Sequence, residues 1–256
     1  MKSIFITGCS SGIGLAAAQG LRERGYHVIA SCRQESDYER LIAFGFDTVM
    51  LDLDNSSSIH QAARNVLALC NNNLFALFNN AGFGVYGSIM SLTRDDLESQ
   101  FSTNLFGMHE LTTLLLPTML SKCDGRIIQT SSIMGLISTP GRGAYAASKY
   151  ALEAWSDALR LELYNKGIKV CLLEPGPIET AFSSNVCQTE SEQITQAAPS
   201  AKRFALPVEA ILPMLYHALE KPCPKVRYKV TLLTHIAAFL KRILPDKVMD
   251  LILKRH

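Results

Sequence analysis

"SIFITGCSSGIG", residues 3–14, is an apolar run that breaks into a glycine-rich loop and then into a helical pattern. Gly8, Gly12 and Gly14 fall where a chain leaving a strand must turn sharply and open a helix. Glycine permits the turn and lets the backbone come close to a bound group. The start of the helix offers unpaired N–H groups and a partial positive charge, which suits an anion. A plain strand-to-helix turn commonly holds one glycine, and three in this position predict a dinucleotide pyrophosphate site. The spacing is T-G-x-x-x-G-x-G rather than the common G-x-G-x-x-G.

Working outward, apolar runs of strand length alternate with helical periods. Strands are expected at 3–7, 27–31, 48–53, 74–79, 126–131, 169–175 and 227–232. Helices are expected at 13–24, up to about 44, and at 56–71, 93–103, 105–122, 143–166 and 207–220. Strands that are apolar throughout, alternating with helices, predict an α/β chain. The expected fold is a single-domain, Rossmann-type, doubly wound parallel sheet of about seven strands with helices on both faces. Two segments fall outside the alternation. Residues 183–206 are polar without strand or helix period, as a substrate lid within a 1–232 catalytic domain would be. Residues 233–256 read as an amphipathic helical extension of the same domain, interrupted at Pro245.

Composition limits the function classes. The chain has 256 residues, 48% hydrophobic and 19% charged, with a net charge of +2. That charge, without a Lys/Arg block, argues against nucleic acid. Seven cysteines are scattered without a CxxC pair or Cys/His cluster, which predicts buried free thiols, a reducing compartment and no metal site. The start of the chain is too short in apolar residues for a signal peptide, and no window reaches membrane-span length. The expectation is a cytoplasmic protein.

Tyr145 and Lys149 stand four apart on a predicted helix and so share a face. A phenol titrates near pH 10, and a neighbouring ammonium favours its ionised form, as acid–base catalysis at neutral pH requires. Ser132 follows the strand 126–131 at the sheet edge where open α/β folds bind ligands; capping the strand end is its ordinary alternative. Asn104 is a polar amide among Phe101, Leu105 and Phe106, unfavourable in a helix unless its hydrogen bonds are used.

These residues, with Thr7-Gly8-Cys9-Ser10-Ser11-Gly12-Ile13-Gly14, Asn79-Asn80-Ala81-Gly82 and Pro175-Gly176-Pro177-Ile178-Glu179-Thr180, come in one order along 3–232. The chain resembles the short-chain dehydrogenase/reductase family in its compact single-domain branch. The resemblance implies a catalytic set of Asn104, Ser132, Tyr145 and Lys149. Ser132 takes the serine role in preference to Ser131, and Asn104 holds a water that joins the lysine to a proton relay. It places Gly8, Ser10, Ser11, Gly12, Ile13 and Gly14 at the cofactor phosphates, and Asp52 and Leu53 at the adenine. Asn80, Ala81, Gly82, Tyr145, Lys149, Pro175, Gly176, Ile178 and Thr180 then lie along the nicotinamide half. Asp52 also reads as an ordinary loop acid.

Arg33 lies 19 residues past Gly14, where NAD-preferring folds carry an acid for the ribose 2′-hydroxyl. A guanidinium there holds a 2′-phosphate instead, which predicts NADP(H) as cofactor. Glu35 or Asp37 in the acid's role is the alternative.

Residues 133–137, with Phe83 and Val85, predict an apolar pocket. The C-terminal stretch is similar to the tails of hydroxysteroid and retinol dehydrogenases. The expected activity is NADP(H)-dependent hydride transfer with an apolar aldehyde, ketone or alcohol, as in a carbonyl reductase. The alternatives are an acyl-thioester 3-ketoreductase and a non-catalytic NADP(H)-binding sensor. The resemblance also implies a homodimer or homotetramer. From Lys225 onward eight Lys/Arg face two Asp, net +6 against −4 for the remainder. Such a tail suits a membrane surface or packing on the domain or a partner subunit, and packing is the preferred reading.

Overall fold

A computed structural model of the chain describes residues 1–180, 182, 187–188 and 204–254. Its main sheet has seven strands: β1 (Ser3–Ile6), β2 (His27–Cys32), β3 (Asp47–Met50), β4 (Leu74–Asn79), β6 (Gly125–Thr130), β7 (Ile168–Glu174) and β9 (Arg227–Lys229). Their order is β3-β2-β1-β4-β6-β7-β9, and every pairing is parallel. The chain reverses direction across the sheet between β1 and β4, where ligands bind in such folds.

The uninterrupted apolar strands follow from burial on both faces. Ile4 and Ile6 face one core with Val28, Ala30, Ala76 and Phe78. Phe5 faces the other with Ile29, Leu77 and Ile127. The first core is covered by α1 (Gly12–Glu23), α2 (Glu35–Ala43) and α7 (Leu212–Glu220). The second is covered by α3 (Ser56–Leu69), α5 (Met108–Lys122) and the end of α6 (Gly143–Glu162). Removing one such side chain from water contributes about 1.5–3 kcal/mol.

Several boundaries differ from the sequence expectation. The last strand stops at Lys229 because Thr231 caps the next helix, its hydroxyl accepting from Thr234 N. The two helices expected at 93–103 and 105–122 form one continuous rod. It runs from α4 (Arg94–Phe101) through a π-helical turn (Ser102–Gly107) into α5. A two-residue strand, β5 (Val85–Tyr86), pairs in parallel with β8 (Cys187–Gln188). The stretch read as a lid therefore contributes a strand pairing, and the rest of 183–203 lies outside the described residues. Cys123 and Cys223 are exposed, contrary to the expectation of buried thiols, while Cys9, Cys32, Cys70 and Cys171 are buried. The tail forms α8 (Leu232–Ile243) and α9 (Asp246–Leu253), separated at Pro245. No helix among the described residues is long and apolar enough to cross a membrane.

Candidate active site

The glycine loop, the β4 end and the segment after β7 converge at the carboxyl edge of the sheet. Gly8 (φ +73°) and Gly12 (φ +57°) adopt left-handed conformations that side chains disfavour. A methyl group at Gly14 would sit 2.1 Å from the Gly8 carbonyl oxygen and 2.7 Å from Asn80 Nδ2. One at Gly12 would meet the Thr180 methyl at 3.2 Å. Thr7, which sequence reasoning left out of the site, ties the two loops together. Its Oγ1 accepts from Asn80 N and Ala81 N, both at 2.9 Å, while Asn80 Nδ2 donates to the Thr7 and Gly8 carbonyls. The result is a narrow backbone cradle that a dinucleotide fits. Ser11 begins α1 without using its hydroxyl as a cap, and no acid stands in the first helical turn. Both leave that end open to an anion. Ile13 packs into the core and Ser10 presents its carbonyl outward.

That carbonyl receives Arg40 Nη2 at 2.5 Å, and Arg40 pairs with Asp37 at 2.7 Å. Arg33, just past β2, is exposed. A second guanidinium thus stands beside the glycine loop and engages Asp37, one of the two acids named as alternatives; Glu35, the other, is exposed. Arg40 lies on α2, seven residues past Arg33, and gave no signal in isolation. Asp52 lies beyond the end of β3 rather than within it, and its Oδ1 accepts from Asp54 N at 3.0 Å. Leu53 is buried, with its carbonyl against Gly107. Pro175 O accepts from Ile133 N, and Gly176 packs against Thr231 and Thr234 at the start of the tail. Ile178 bridges to Leu206.

Ser132, Tyr145, Lys149 and Asn104 come together between β6, α6 and the π turn. Ser132 Oγ accepts from Met134 N at 3.1 Å, the capping role, and the serine neighbours the Tyr145 phenol. Ser131 instead points toward Glu153. Lys149 Nζ donates to Thr130 O at 2.7 Å and lies 5.7 Å from the centre of the Tyr145 ring. Asn104 accepts from Phe83 N and donates to Phe83 O and Ser148 Oγ. These bonds satisfy the amide and coincide with the π turn, a helical irregularity common at functional sites. Gln100, fully buried, clamps the same loop through Phe83 O and Val85 N.

The electrostatics qualify the expectation that Lys149 lowers the Tyr145 pKa. Burial raises the phenol above its ordinary value, Tyr86 adds to this, and Ser132 and Arg142 oppose it. Burial also lowers Lys149 to about 8, against an upward pull from Glu153. Tyr145 is therefore held protonated and Lys149 titrates near neutrality.

The wall beside Tyr145 is apolar. Tyr86 and Phe182 stack at 6.0 and 5.5 Å, and Met134, Ile137, Ala237 and Met249 complete the cluster. Ile133 packs at its edge; Phe83 and Val85 serve through the loop backbone rather than through this wall. The contribution of Ala237 and Met249 shows the tail packing on the site.

Comparison with known proteins agrees with this geometry. Residues 2–191 match the family model for short chain dehydrogenase. The chain is 55% identical over 253 residues to the uncharacterized oxidoreductase YbbO of Escherichia coli, covering 99% of this chain and 94% of that one. It is 31% identical to an NADPH-dependent 3-dehydrocapnine reductase of Ornithobacterium rhinotracheale, over 98% and 95% of the two chains. A solved short-chain dehydrogenase from Streptomyces avermitilis superposes with a TM-score of 0.86 at 27% identity, covering 98% and 94%. The chain belongs to the short-chain dehydrogenase family and is an oxidoreductase.

Proposed function

We propose that this oxidoreductase reduces apolar aldehydes or ketones with NADPH, and oxidises the matching alcohols by the reverse path. The observation that carries the reading is a buried Tyr145 phenol beside Ser132, walled by Tyr86, Phe182, Met134 and Met249. A bound nicotinamide dinucleotide supplies the hydride. Ser132 and Tyr145 hydrogen-bond the substrate carbonyl oxygen and fix its carbon in place. Tyr145, kept protonated by burial, delivers its proton as negative charge grows on that oxygen. Lys149 supplies positive charge behind the phenol, and Glu153 opposes the burial that lowers its pKa. Asn104 fixes the Phe83 loop, and its bond to Ser148 links that loop to the Tyr145–Lys149 helix.

Arg33 and Arg40 support the preference for NADP(H). Both lie where the second strand meets the glycine loop, and Asp37 is held by Arg40. The cradle of Gly8, Ser10, Ser11, Gly12, Ile13 and Gly14 would take the pyrophosphate. Asn80, Ala81, Gly82, Pro175, Gly176, Ile178 and Thr180 would flank the nicotinamide half. We further infer a cytoplasmic homo-oligomer in which residues 1–232 form the catalytic unit and the tail completes its wall.

The test is loss of NADPH absorbance with a panel of aldehydes and ketones graded in chain length. Turnover is expected to rise with apolar size, and Tyr145→Phe to lower it by about 10²–10⁴-fold. Activity confined to acyl thioesters, or a Phe variant that keeps most turnover, would refute the reading.

A further inference from the structure

We propose that the outer face of the two C-terminal helices docks on an anionic lipid surface. Helix α8 is two-faced. Its inner face, with Ala237, Leu240 and Leu244, belongs to the cluster around Tyr145. Its outer face carries Leu232, Ile236, Phe239 and Ile243, at spacings of four, three and four residues, hence on one stripe. They are 72%, 44%, 62% and 54% exposed. Helix α9 repeats the arrangement: Met249 is buried, and Leu251 is 51% exposed. Large apolar side chains gathered on one exposed face mark an interaction site.

The charge around the stripe selects the occupant. Arg242 flanks it at helical spacing, and Lys247 on α9 and Lys254 just past its end are exposed. Between Leu232 and Lys254 four Lys/Arg stand against Asp246 and Asp250, net +2. Arg227 is taken up by Glu153 and Asp157 and Lys241 by Asp246, which leaves Arg242, Lys247 and Lys254 without an ion-pair partner among the described residues. A symmetric contact between two copies would set this basic face against itself. An amphipathic helix with an apolar stripe and cationic flanks lies instead at a negatively charged lipid interface. The inner face of the same helices lines the wall beside Tyr145. On the apolar-carbonyl reading of the site, docking would bring a lipid-dissolved substrate to its mouth. The docking itself does not depend on that reading.

The test is co-sedimentation of the full-length protein with phosphatidylcholine vesicles, with and without phosphatidylglycerol, at low and high salt. Binding is expected only with phosphatidylglycerol, with a loss of about tenfold or more at high salt or in a paired Ile236→Asp, Phe239→Asp variant. The variant's melting temperature and its turnover of a water-soluble aldehyde should stay at wild-type values, since both positions face outward. Wild-type protein that remains in the supernatant, or a variant that binds as well, overturns the proposal. So does a solution mass that falls from dimer to monomer in the variant without vesicle binding, which would assign the face to a second copy. Binding is read without substrate, so failure of the carbonyl-reductase reading leaves this result standing.

Discussion

Glu174→Gln should make the protein more stable at alkaline pH and leave it little changed at acid pH. Glu174 ends β7 and is fully buried. Neither of its carboxyl oxygens has a hydrogen-bond partner among the described residues. The nearest cation, Arg227, stands 3.3 Å away but already donates to Glu153 at 2.9 Å and Asp157 at 2.7 Å. Three carboxyls thus share one guanidinium. Burial, and then repulsion from Glu153, raise Glu174 from 4.5 to about 7, against Lys229 and Arg227. The sign follows directly. Below pH 4.5 both folded and unfolded chains hold the proton, and no penalty exists. As pH rises to about 7 the unfolded chain releases it and the folded chain does not, so stability falls, and the loss is complete above 7. At about 1.4 kcal/mol per pH unit, the rise is worth about 3 kcal/mol. That corresponds to about 6–12 °C in Tm for a chain of this size. The glutamine keeps the shape and cannot ionise. Thermal melts of both proteins across a pH series give the result. The difference in Tm should be near zero at acid pH and open between mildly acid and mildly alkaline pH. A variant less stable than wild type by a constant amount at every pH would refute the reasoning, because Arg227 would then be holding Glu174 ionised.

Other expectations rest on separate parts of the site. Arg33→Ala and Arg40→Ala should each raise KM for NADPH by about 10–100-fold, the worth of a charge-assisted hydrogen bond, and leave KM for NADH unmoved. A parallel change in both would assign the arginines to folding. Reductive kcat/KM should fall as pH passes about 8, where the Lys149 ammonium discharges. Because Glu153 raises that pKa, Glu153→Gln should move the falling limb to lower pH, and a limb that stays in place would remove Glu153 from the site's electrostatics. Gly14→Ala, with its methyl 2.1 Å from the Gly8 oxygen, should force the loop apart at a cost of about 1–3 kcal/mol. Cofactor affinity by fluorescence titration should fall accordingly, with the far-ultraviolet spectrum unchanged.

The central strands were legible because burial on both faces makes them largely apolar runs, whereas the edge strands β3 (DTVM) and β9 (RYK) are only partly buried; the glycine loop was legible because its backbone demands glycine. What escaped the sequence depends on partners distant along the chain. Thr7 joins the site through Asn80 and Ala81, 73 and 74 residues away, and Gln100 through the Phe83 loop. Tyr86 and Phe182 meet across Tyr145 from elements with no shared period. The π turn at Asn104 has no apolar signature, since it is coupled to bonds the amide makes with Phe83. The tail's amphipathic stripe showed that it was a helix. It did not show that both faces are apolar, one packed and one exposed.

One part of the network was within reach of the rule already used. The i,i+4 step that links Tyr145 to Lys149 continues along the same face of α6 to Glu153 and then Asp157. Two acids following a buried lysine on one stripe require a compensating cation. Arg227, at the start of the last strand, closes on both. The stripe therefore runs from a phenol that holds its proton, through a lysine poised near neutrality, to a carboxyl pair shared with Glu174. The catalytic end is tuned by charges one and two turns behind it, and for that reason substitution at Glu153 should register in the pH profile as well as in stability.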